Sequence, residues 1–291
     1  FSVASGRQAP GILQLFPGVA FHAPLVCGNG SVIYDPAEQQ VLRKTCLPAD
    51  YKCACVSYFL THPEVWIVAA DETRIWQIVS GDPARDDQLN DWPRPRMSIE
   101  DFLSGDYVKV VYILAEGGDM EALKHEVAAL PGAELVTGAQ SGPRYLEMVD
   151  HTVSKGVGIR QALAAAGLEK RTLVCIGDYF NDESMLRQAD IAACPSNAAQ
   201  GIQEICQLIT CSNNDGAVAD LIDAETPAAV HQAAGAHLDD LGHLGLLLGG
   251  AGEDDTALGL LLGLHHLDDH SVRKGFEFHN GFLLISFFLI S

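Results

Sequence analysis

The stretch of sequence that decides the fold is "KGVGIRQALAAAGLEKRTLVCIGDYFND", residues 155–182. Its first part predicts a helix over about 156–166, which ends at Gly167. The β-branched and apolar residues at 172–176 then predict a buried strand. A glycine turn follows with Asp178, Asn181 and Asp182, and a second helix is expected from about 182 to 188. This succession of helix, strand, polar turn and helix is typical of an α/β protein.

The same alternation occupies both ends of the region before residue 222. Strands and helices are predicted in turn at 191–193, about 198–206, 208–210 and about 216–222. Near the start, 1–5 is predicted as a buried strand, about 10–15 as a helix, and "APLVCGNGSVIYD" (23–35) as strand, glycine-rich turn and strand. Strands that alternate with helices predict a parallel sheet with helices on both faces.

Between these two parts the sequence has a different texture. The stretch combines one clear helix at 119–130 with four strand-like runs, "VWIVAA", "TRIWQIV", "VKVVYILA" and "RYLEMV". This mixture predicts an α+β insert with an antiparallel sheet. The predicted fold class is therefore α/β, with a parallel-sheet core at 1–40 and 149–222, an α+β cap inserted at 41–148, and an irregular tail at 223–291.

Composition and charge restrict the classes of function. The chain has 291 residues and a net charge of -20, from 18 basic and 38 acidic residues. Such a surface repels a phosphate backbone, so nucleic-acid binding is not expected, and an anionic substrate needs local cations or amides. The eight cysteines show no disulfide or zinc spacing, which favours reduced thiols and a cytoplasmic location. The apolar terminus at 281–291 is too short for a membrane helix, and no pattern indicates an oligomeric state.

Two polar stretches are candidates for binding an anion at the carboxyl edge of the sheet, where α/β proteins bind ligands. The first is Ser5-Gly6-Arg7, whose hydroxyl and exposed amides can cradle a phosphate. Its alternative is an ordinary serine cap or turn. The second is Lys155, at a helix start where the dipole disfavours a cation, so a phosphate or a carboxylate cluster is expected nearby. Its alternative is a solvated surface lysine.

The third candidate is the polar turn after the strand at 172–176. Asp178 follows the strand, and Asp182 lies four residues further on with Asn181 beside it. Carboxylate oxygens, completed by water and substrate phosphate, are the ligands that Mg²⁺ prefers. The alternative assigns Asp182 to a helix cap and Asp178 to an Asx turn, which explains each acid alone but not the pair together with Asn181. The pattern therefore favours a magnesium site.

Several of these motifs resemble those of the haloacid dehalogenase (HAD) superfamily. "GDYFND" (177–182) is similar to the fourth motif of its Cof-type branch, which has a large α/β cap (class IIB). "ASGR" (4–7) is similar to the second motif, and "CGNGSVIYD" (27–35) to the segment that enters the cap. The resemblance covers residues 1–222. It implies a Rossmann-like parallel core and Mg²⁺-dependent hydrolysis of phosphate monoesters of small metabolites, such as sugar phosphates.

The resemblance also implies a role for each candidate residue, carried over motif by motif. The phosphate-binding residues would be Ser5, Gly6, Lys155 and Asn181, and the metal-binding residues Asp178 and Asp182. Lys155 would in addition offset negative charge on the phosphate and the attacking carboxylate. Such roles act by positioning and electrostatics, as phosphoryl transfer requires.

One part of the family pattern is not found. The first motif, an Asp-x-Asp on the first core strand, would precede "ASGR" and supply the attacking carboxylate, yet the chain contains no D-x-D. We expect a fragment that lacks its first strand and is inactive as it stands, because covalent catalysis has no attacking group. The alternative is a non-catalytic remnant that keeps a phosphate pocket. The β-rich terminus "FLLISFFLIS" (282–291) could fill the vacant place in the sheet.

The stretch from about residue 224 lies outside the resemblance. It contains "GLLLG" twice, at 245–249 and 259–263, and seven of the 11 histidines. A tract rich in His and Asp can bind metal. The loose repeats instead favour a low-complexity tail, and we assign it no catalytic role.

Overall fold

A computed structural model describes residues 1–89 and 94–223, and the backbone of 285–290. Its strands are β1 (Ser2–Ala4), β2 (Leu25–Cys27), β3 (Val32–Asp35), β4 (Gln40–Lys44), β5 (Val65–Ala70), β6 (Ile75–Ile78), β7 (Arg96–Met97), β8 (Lys109–Leu114), β9 (Val136–Gly142), β10 (Tyr145–Asp150), β11 (Thr172–Ile176), β12 (Ile191–Pro195), β13 (Leu208–Thr210) and β14 (Ile285–Ile290). Its helices are α1 (Ala9–Leu13), α2 (Ala49–Thr61), α3 (Pro83–Asp86), α4 (Ile99–Ser104), α5 (Met120–Ala128), α6 (Lys155–Ala166), α7 (Glu183–Leu186), α8 (Gln200–Gln203) and α9 (Ala217–Asp223).

The first sheet has eight strands in the order β13-β12-β11-β14-β1-β2-β3-β4. The pairs β11/β12, β12/β13 and β1/β2 are parallel, whereas β2, β3 and β4 form an antiparallel meander. Alternate residues of β11 pack on opposite faces, Cys175 with the buried side of α6 and Ile176 with α9. A strand buried on both faces explains the continuous apolar run at 172–176. The predicted α/β class is confirmed.

Strand β14 lies in the middle of the first sheet. It is antiparallel to both of its neighbours, with Val3 opposite Ser286 and Val174 opposite Phe288. The terminal stretch therefore occupies the place between β1 and β11, where the sequence suggested a vacancy. The rest of the predicted tail, with its histidines and repeats, lies outside the described residues.

The second sheet has six strands in the order β7-β6-β5-β8-β10-β9. Helices α2 and α5 cover one face, where Phe59 and Leu123 pack with Ile67 and Tyr112. The four strands predicted for the insert are present, and so is its helix, as α5. Helix α2 was not predicted, because its Cys, Val, Tyr and Phe residues have low helix propensity and packing decides its conformation.

The predicted domain boundaries stay a prediction. Strand β4 pairs with β3 in the first sheet as far as Lys44, whereas the predicted insert begins at residue 41. The second sheet ends with β10 at Asp150, close to the predicted return to the core at 149.

Candidate active site

The candidate residues meet at the carboxyl edge of the first sheet. Ser5 follows β1, the turn at 28–30 follows β2, and Asp178 follows β11. Strands β1 and β11 are parallel to each other, because both are antiparallel to β14. Their carboxyl ends therefore open on the same side, as expected for a ligand site in a parallel sheet.

Lys155 has a buried partner, Asp182. Its side chain is 1% exposed, and Nζ donates to Asp182 Oδ1 at 2.5 Å. The other carboxylate oxygen of Asp182 accepts from the backbone amides of Asp178 and Tyr179, at 3.1 and 3.2 Å. Asp182 thus fixes both the lysine and the polar turn after β11. The predicted alternative, a solvated surface Lys155, is wrong.

Asp178 differs from Asp182 in having no bound partner. No other residue in the described part of the chain donates a hydrogen bond to the Asp178 carboxylate, and only its own backbone amide favours the ionised form in this way. Burial, together with the charge of Asp182, raises the pKa of Asp178 to about 7, although Lys155 acts in the opposite direction. A carboxylate in such a position gains from a cation placed beside it.

Ser5, Gly6 and Arg7 form a tight turn, which we call the Ser5 turn. Ser5 is buried, and its Oγ accepts from the Arg7 amide at 3.1 Å, so the hydroxyl proton is available to another acceptor. The Gly6 amide has no acceptor among the described residues, while the Gly6 carbonyl accepts from Lys109 Nζ at 2.6 Å. Two donors at one turn suit a phosphoryl group.

A second turn brings Asn29 to the same place. Gly30 has φ +101°, and a Cβ there would stand 2.1 Å from the carbonyl oxygen of Ser154, so only glycine allows this approach. Asn29 donates through Nδ2 to Glu147 Oε2 at 2.6 Å and accepts from Asn181 Nδ2 at 3.4 Å. The polar turns after β2 and β11 are therefore in contact.

Sequence reasoning missed three residues at this site: Asn29, Lys109 and Glu147. Lys109 and Glu147 come from β8 and β10 of the second sheet and form a buried ion pair, with Nζ and Oε2 2.8 Å apart. A signal for both was present. Lys109 is the single charge of the apolar run "VKVVYILA", and Glu147 is the single acid of "RYLEMV", flanked on both sides by apolar residues.

Two cavities meet at this edge and share Glu147, Lys155 and Asn181. The first has a volume of about 340 Å³ and is also lined by Asn29 and Ser154. The second is lined by the Ser5 turn and Lys109, and on the second sheet by Val68, Ile75, Val111, Ile113 and Tyr145. The structure thus brings Ser5, Gly6, Lys155 and Asn181 to one cavity. Asp182 lies beneath Lys155, and Asp178 lines neither cavity in the described part.

The donor set for a metal ion is small. Within residues 1–89 and 94–223, no three His, Cys, Asp or Glu side chains are grouped to hold a metal ion by themselves. Asp178 offers a free carboxylate, whereas both oxygens of Asp182 are bonded. Mg²⁺ is commonly held by one or two carboxylates with water and substrate phosphate, and Asp178 fits that mode of binding.

Comparison with known proteins identifies the family. The family model described as haloacid dehalogenase-like hydrolase matches residues 1–222. The chain belongs to this family. The predicted HAD membership and the predicted enzyme class, a hydrolase, are confirmed. All eight cysteines lie in the described part of this HAD-family chain and are free thiols.

Two phosphatases are similar to this chain over most of their own length. The chain is 26% identical to the 5-amino-6-(5-phospho-D-ribitylamino)uracil phosphatase YbjI of Escherichia coli (strain K12) over 227 residues, which cover 77% of this chain and 82% of that protein. It is 22% identical to the pyridoxal phosphate phosphatase YbhA of the same organism, over 76% of this chain and 84% of that protein.

A solved structure agrees with the HAD fold. The HAD subclass IIB sugar phosphatase BT4131 superposes with a TM-score of 0.64 at 17% identity, over 76% of this chain and 83% of that one. This likeness concerns the fold alone. No helix in the described part of the chain is both long and apolar enough to cross a membrane.

Proposed function

We propose that this HAD-family chain carries the phosphate- and metal-binding site of a Mg²⁺-dependent phosphatase of the Cof type, a class that acts on small phosphorylated metabolites. The observation that carries the proposal is the cavity at the carboxyl edge of the first sheet, where Ser5, Gly6, Lys155 and Asn181 converge. Hydroxyl, amide and ammonium donors around one cavity match the three acceptor oxygens of a phosphoryl group. The relatives that are phosphatases of a ribitylaminouracil phosphate and of pyridoxal phosphate support this class of substrate.

Each residue would act on the phosphate through a donor group at the cavity. The Ser5 hydroxyl and the Gly6 amide would donate to phosphoryl oxygens, and Asn181, which lines the same cavity, would orient these oxygens. Lys155 lines the cavity while bonded to Asp182, so its charge would be held at a fixed place beside the phosphate. Such preorganised donors cost no reorganisation during reaction.

Asp178 would hold Mg²⁺, with Asp182 supporting the ion directly or through water while it orients the turn at Asp178 and the Lys155 ammonium. The ion, when bound, supplies positive charge to the phosphoryl oxygens. The raised pKa of Asp178 supports the assignment, because burial and the charge of Asp182 disfavour its ionised form and a bound cation would stabilise that form.

We further propose that residues 1–291 bind phosphate without hydrolysing its esters. Of the described carboxylates that line the cavities, Glu147 is bonded to Lys109 and Asn29, and Glu183 is bonded to Arg187. Asp182, which lines neither cavity, is bonded to Lys155, and Asp178 is the proposed metal ligand. The sequence has no D-x-D to provide the attacking group that the family pattern requires. The cytoplasmic location predicted from the cysteines stays a prediction.

Binding and turnover of a phosphate ester test the proposal. Isothermal titration with inorganic phosphate in Mg²⁺ should show binding by this chain, whereas p-nitrophenyl phosphate should not be hydrolysed. A chain extended before Phe1 by a strand that ends in D-x-D should hydrolyse the ester. Ser5→Ala should weaken phosphate binding by roughly tenfold, because one hydrogen bond to an anion is lost.

The matched control is Ser2→Ala on the same strand, since the Ser2 hydroxyl is buried but donates to the Pro24 carbonyl, away from the cavity. That variant should bind phosphate as the unaltered chain does. Absence of phosphate binding would disprove the proposed site. Turnover by residues 1–291 alone would disprove the proposed lack of a nucleophile.

A further inference from the structure

A buried polar network joins the second sheet to the Ser5 turn of the first. Lys109 Nζ lies 2.8 Å from Glu147 Oε2 and also donates to the Gly6 carbonyl at 2.6 Å. Glu147 accepts two further hydrogen bonds, from Asn29 Nδ2 and Ser141 Oγ, both at 2.6 Å. Both oxygens of Glu147 and two of the three donors of the Lys109 ammonium are therefore committed to holding neighbouring atoms in place.

The pair leaves no space at Gly6. A Cβ placed there would stand 3.1 Å from Glu147 Oε2, 3.2 Å from Asn29 Oδ1 and 3.5 Å from Lys109 Nζ. The first two distances are shorter than ordinary van der Waals contact. The Ser5 turn thus packs closely against the second sheet, so the position of the turn depends on the position of that sheet.

Burial makes stability a poor explanation for the pair. The side chains of Lys109 and Glu147 are 4% and 9% exposed. Removing two charges from water opposes folding, and an apolar pair of similar size is often at least as stable. The pKa of Glu147 is lowered from its ordinary value. Burial alone would raise this pKa, but Lys109 and the hydrogen bond from Ser141 outweigh that effect, so the carboxylate stays ionised. A charged pair at this point is better explained by the groups that it positions.

We propose that Lys109 and Glu147 are positioning residues that hold the Ser5 turn in the geometry that binds a phosphoryl group. Lys109 fixes the Gly6 carbonyl, and Glu147 fixes Asn29 against the same turn. The Ser5 hydroxyl and the Gly6 amide then stay free for the ligand. The inference rests on the proposed function. It adds that phosphate affinity depends on contact between the second sheet and the Ser5 turn.

A charge-neutral double variant tests this role. Lys109→Met/Glu147→Gln removes one charge of each sign, so the net charge of the chain is unchanged and neither buried charge is left without its partner. Isothermal titration with inorganic phosphate measures affinity, and urea unfolding of the same samples measures stability. We expect the Kd for phosphate to rise by roughly tenfold, while the unfolding midpoint changes little. A purely structural role would move the midpoint and leave the affinity of the folded protein unchanged.

The chain offers a matched control in Lys44 and Glu72. This pair also joins the two sheets, from β4 to the turn before β6, at 2.9 Å, but its side chains are 30% and 33% exposed and do not touch the Ser5 turn. Lys44→Met/Glu72→Gln makes the same change in charge. We expect its phosphate affinity to equal that of the unaltered chain.

The outcomes separate this inference from the proposed function. If the unaltered chain does not bind phosphate, both are overturned. If it binds and the Lys109/Glu147 double variant binds equally well, the positioning role alone is overturned. Should that variant fail to fold, Ser141→Ala removes one hydrogen bond to Glu147 without touching the turn. It should weaken phosphate binding by roughly threefold, and a folded Ser141→Ala chain with unchanged affinity contradicts the inference.

Discussion

Lys155 stands at the first position of α6, where the helix dipole disfavours a cation. The structure explains its presence by Asp182, which receives the ammonium at 2.5 Å and is itself fully buried. The pair joins α6 to the turn after β11, so one contact determines both the position of a charge and the shape of the polar turn. At the scale of the residue, the site depends on this pair and on the unpaired acid beside it.

Breaking the pair should be costly for folding. In Lys155→Met, the carboxylate of Asp182 keeps its two backbone donors but loses its cation partner, and removal of one partner from a buried pair typically costs about 3–5 kcal/mol. Urea unfolding measures the change. Lys124→Met is the control, because Lys124 pairs with Glu121 on an exposed face of α5 and should cost roughly 0–1 kcal/mol. Equal effects of the two variants would show that burial of the Lys155 pair has no energetic importance.

Asp178 should make stability depend on pH. Its pKa is about 7 in the folded chain, against an ordinary value of 3.8. Between these values the folded state holds a proton that the unfolded state has lost, so this residue's contribution to stability falls as pH rises and is fully lost above pH 7. In a chelating buffer, Asp178→Asn should therefore gain stability relative to the unaltered chain as pH increases from 4 to 7. The free energy of unfolding at each pH measures the gain.

Mg²⁺ provides the control for this pH dependence. A cation at Asp178 lowers the pKa of that carboxyl, so the advantage of Asp178→Asn should shrink when the ion is added. A difference between the two chains that is the same at every pH would contradict the raised pKa.

At the scale of the element, β14 holds the two halves of the first sheet together. It is the only described strand that pairs with both β1 and β11. Without it, the order of the remaining strands would separate into β13-β12-β11 and β1-β2-β3-β4. The Ser5 turn follows one half and Asp178 the other, so the geometry of the site depends on this strand.

Proline in β14 should therefore loosen both neighbours. Phe288→Pro removes a backbone donor from a central strand, where proline is not tolerated, while Phe288→Val keeps that donor and favours a strand. Hydrogen exchange at the amides of Ala4 and Val174 should become faster in the proline variant and stay slow in the valine variant. Unchanged exchange in both would show that β14 does not support these strands.

At the scale of the whole molecule, the site brings cations together within a strongly acidic chain. The net charge is -20, yet one cavity is lined by three cations and a single carboxylate: Arg7, Lys109, Lys155 and Glu147. An anionic ligand is repelled by the protein as a whole and attracted only near this cavity, because salt screens distant charges more than close ones. Arg7 follows β1 and Lys155 begins α6, whereas Lys109 belongs to β8, so the second sheet adds its cation to the cavity only when the two sheets are in contact.

Several features of the site could be predicted from local sequence. Asp178 and Asp182 were recognisable because they follow an apolar strand directly, and Ser5 because it follows another. Lys155 was singled out by its unfavourable place at a helix start, and its partner is one of the predicted acids. Their proximity followed from the rule that parallel strands present their carboxyl ends at one edge.

The sequence by itself determined the alternation of strands and helices, and with it the sheet edge where Ser5 and Asp178 lie. Periodicity and turn residues act over a few positions, so they are visible in the printed chain. Only the tertiary structure decided that Lys109 and Glu147 reach the Ser5 turn, that Asn29 joins them, and that β14 completes the first sheet. These contacts join residues that are 38 to more than 100 positions apart, and packing between two sheets, rather than local preference, brings them together.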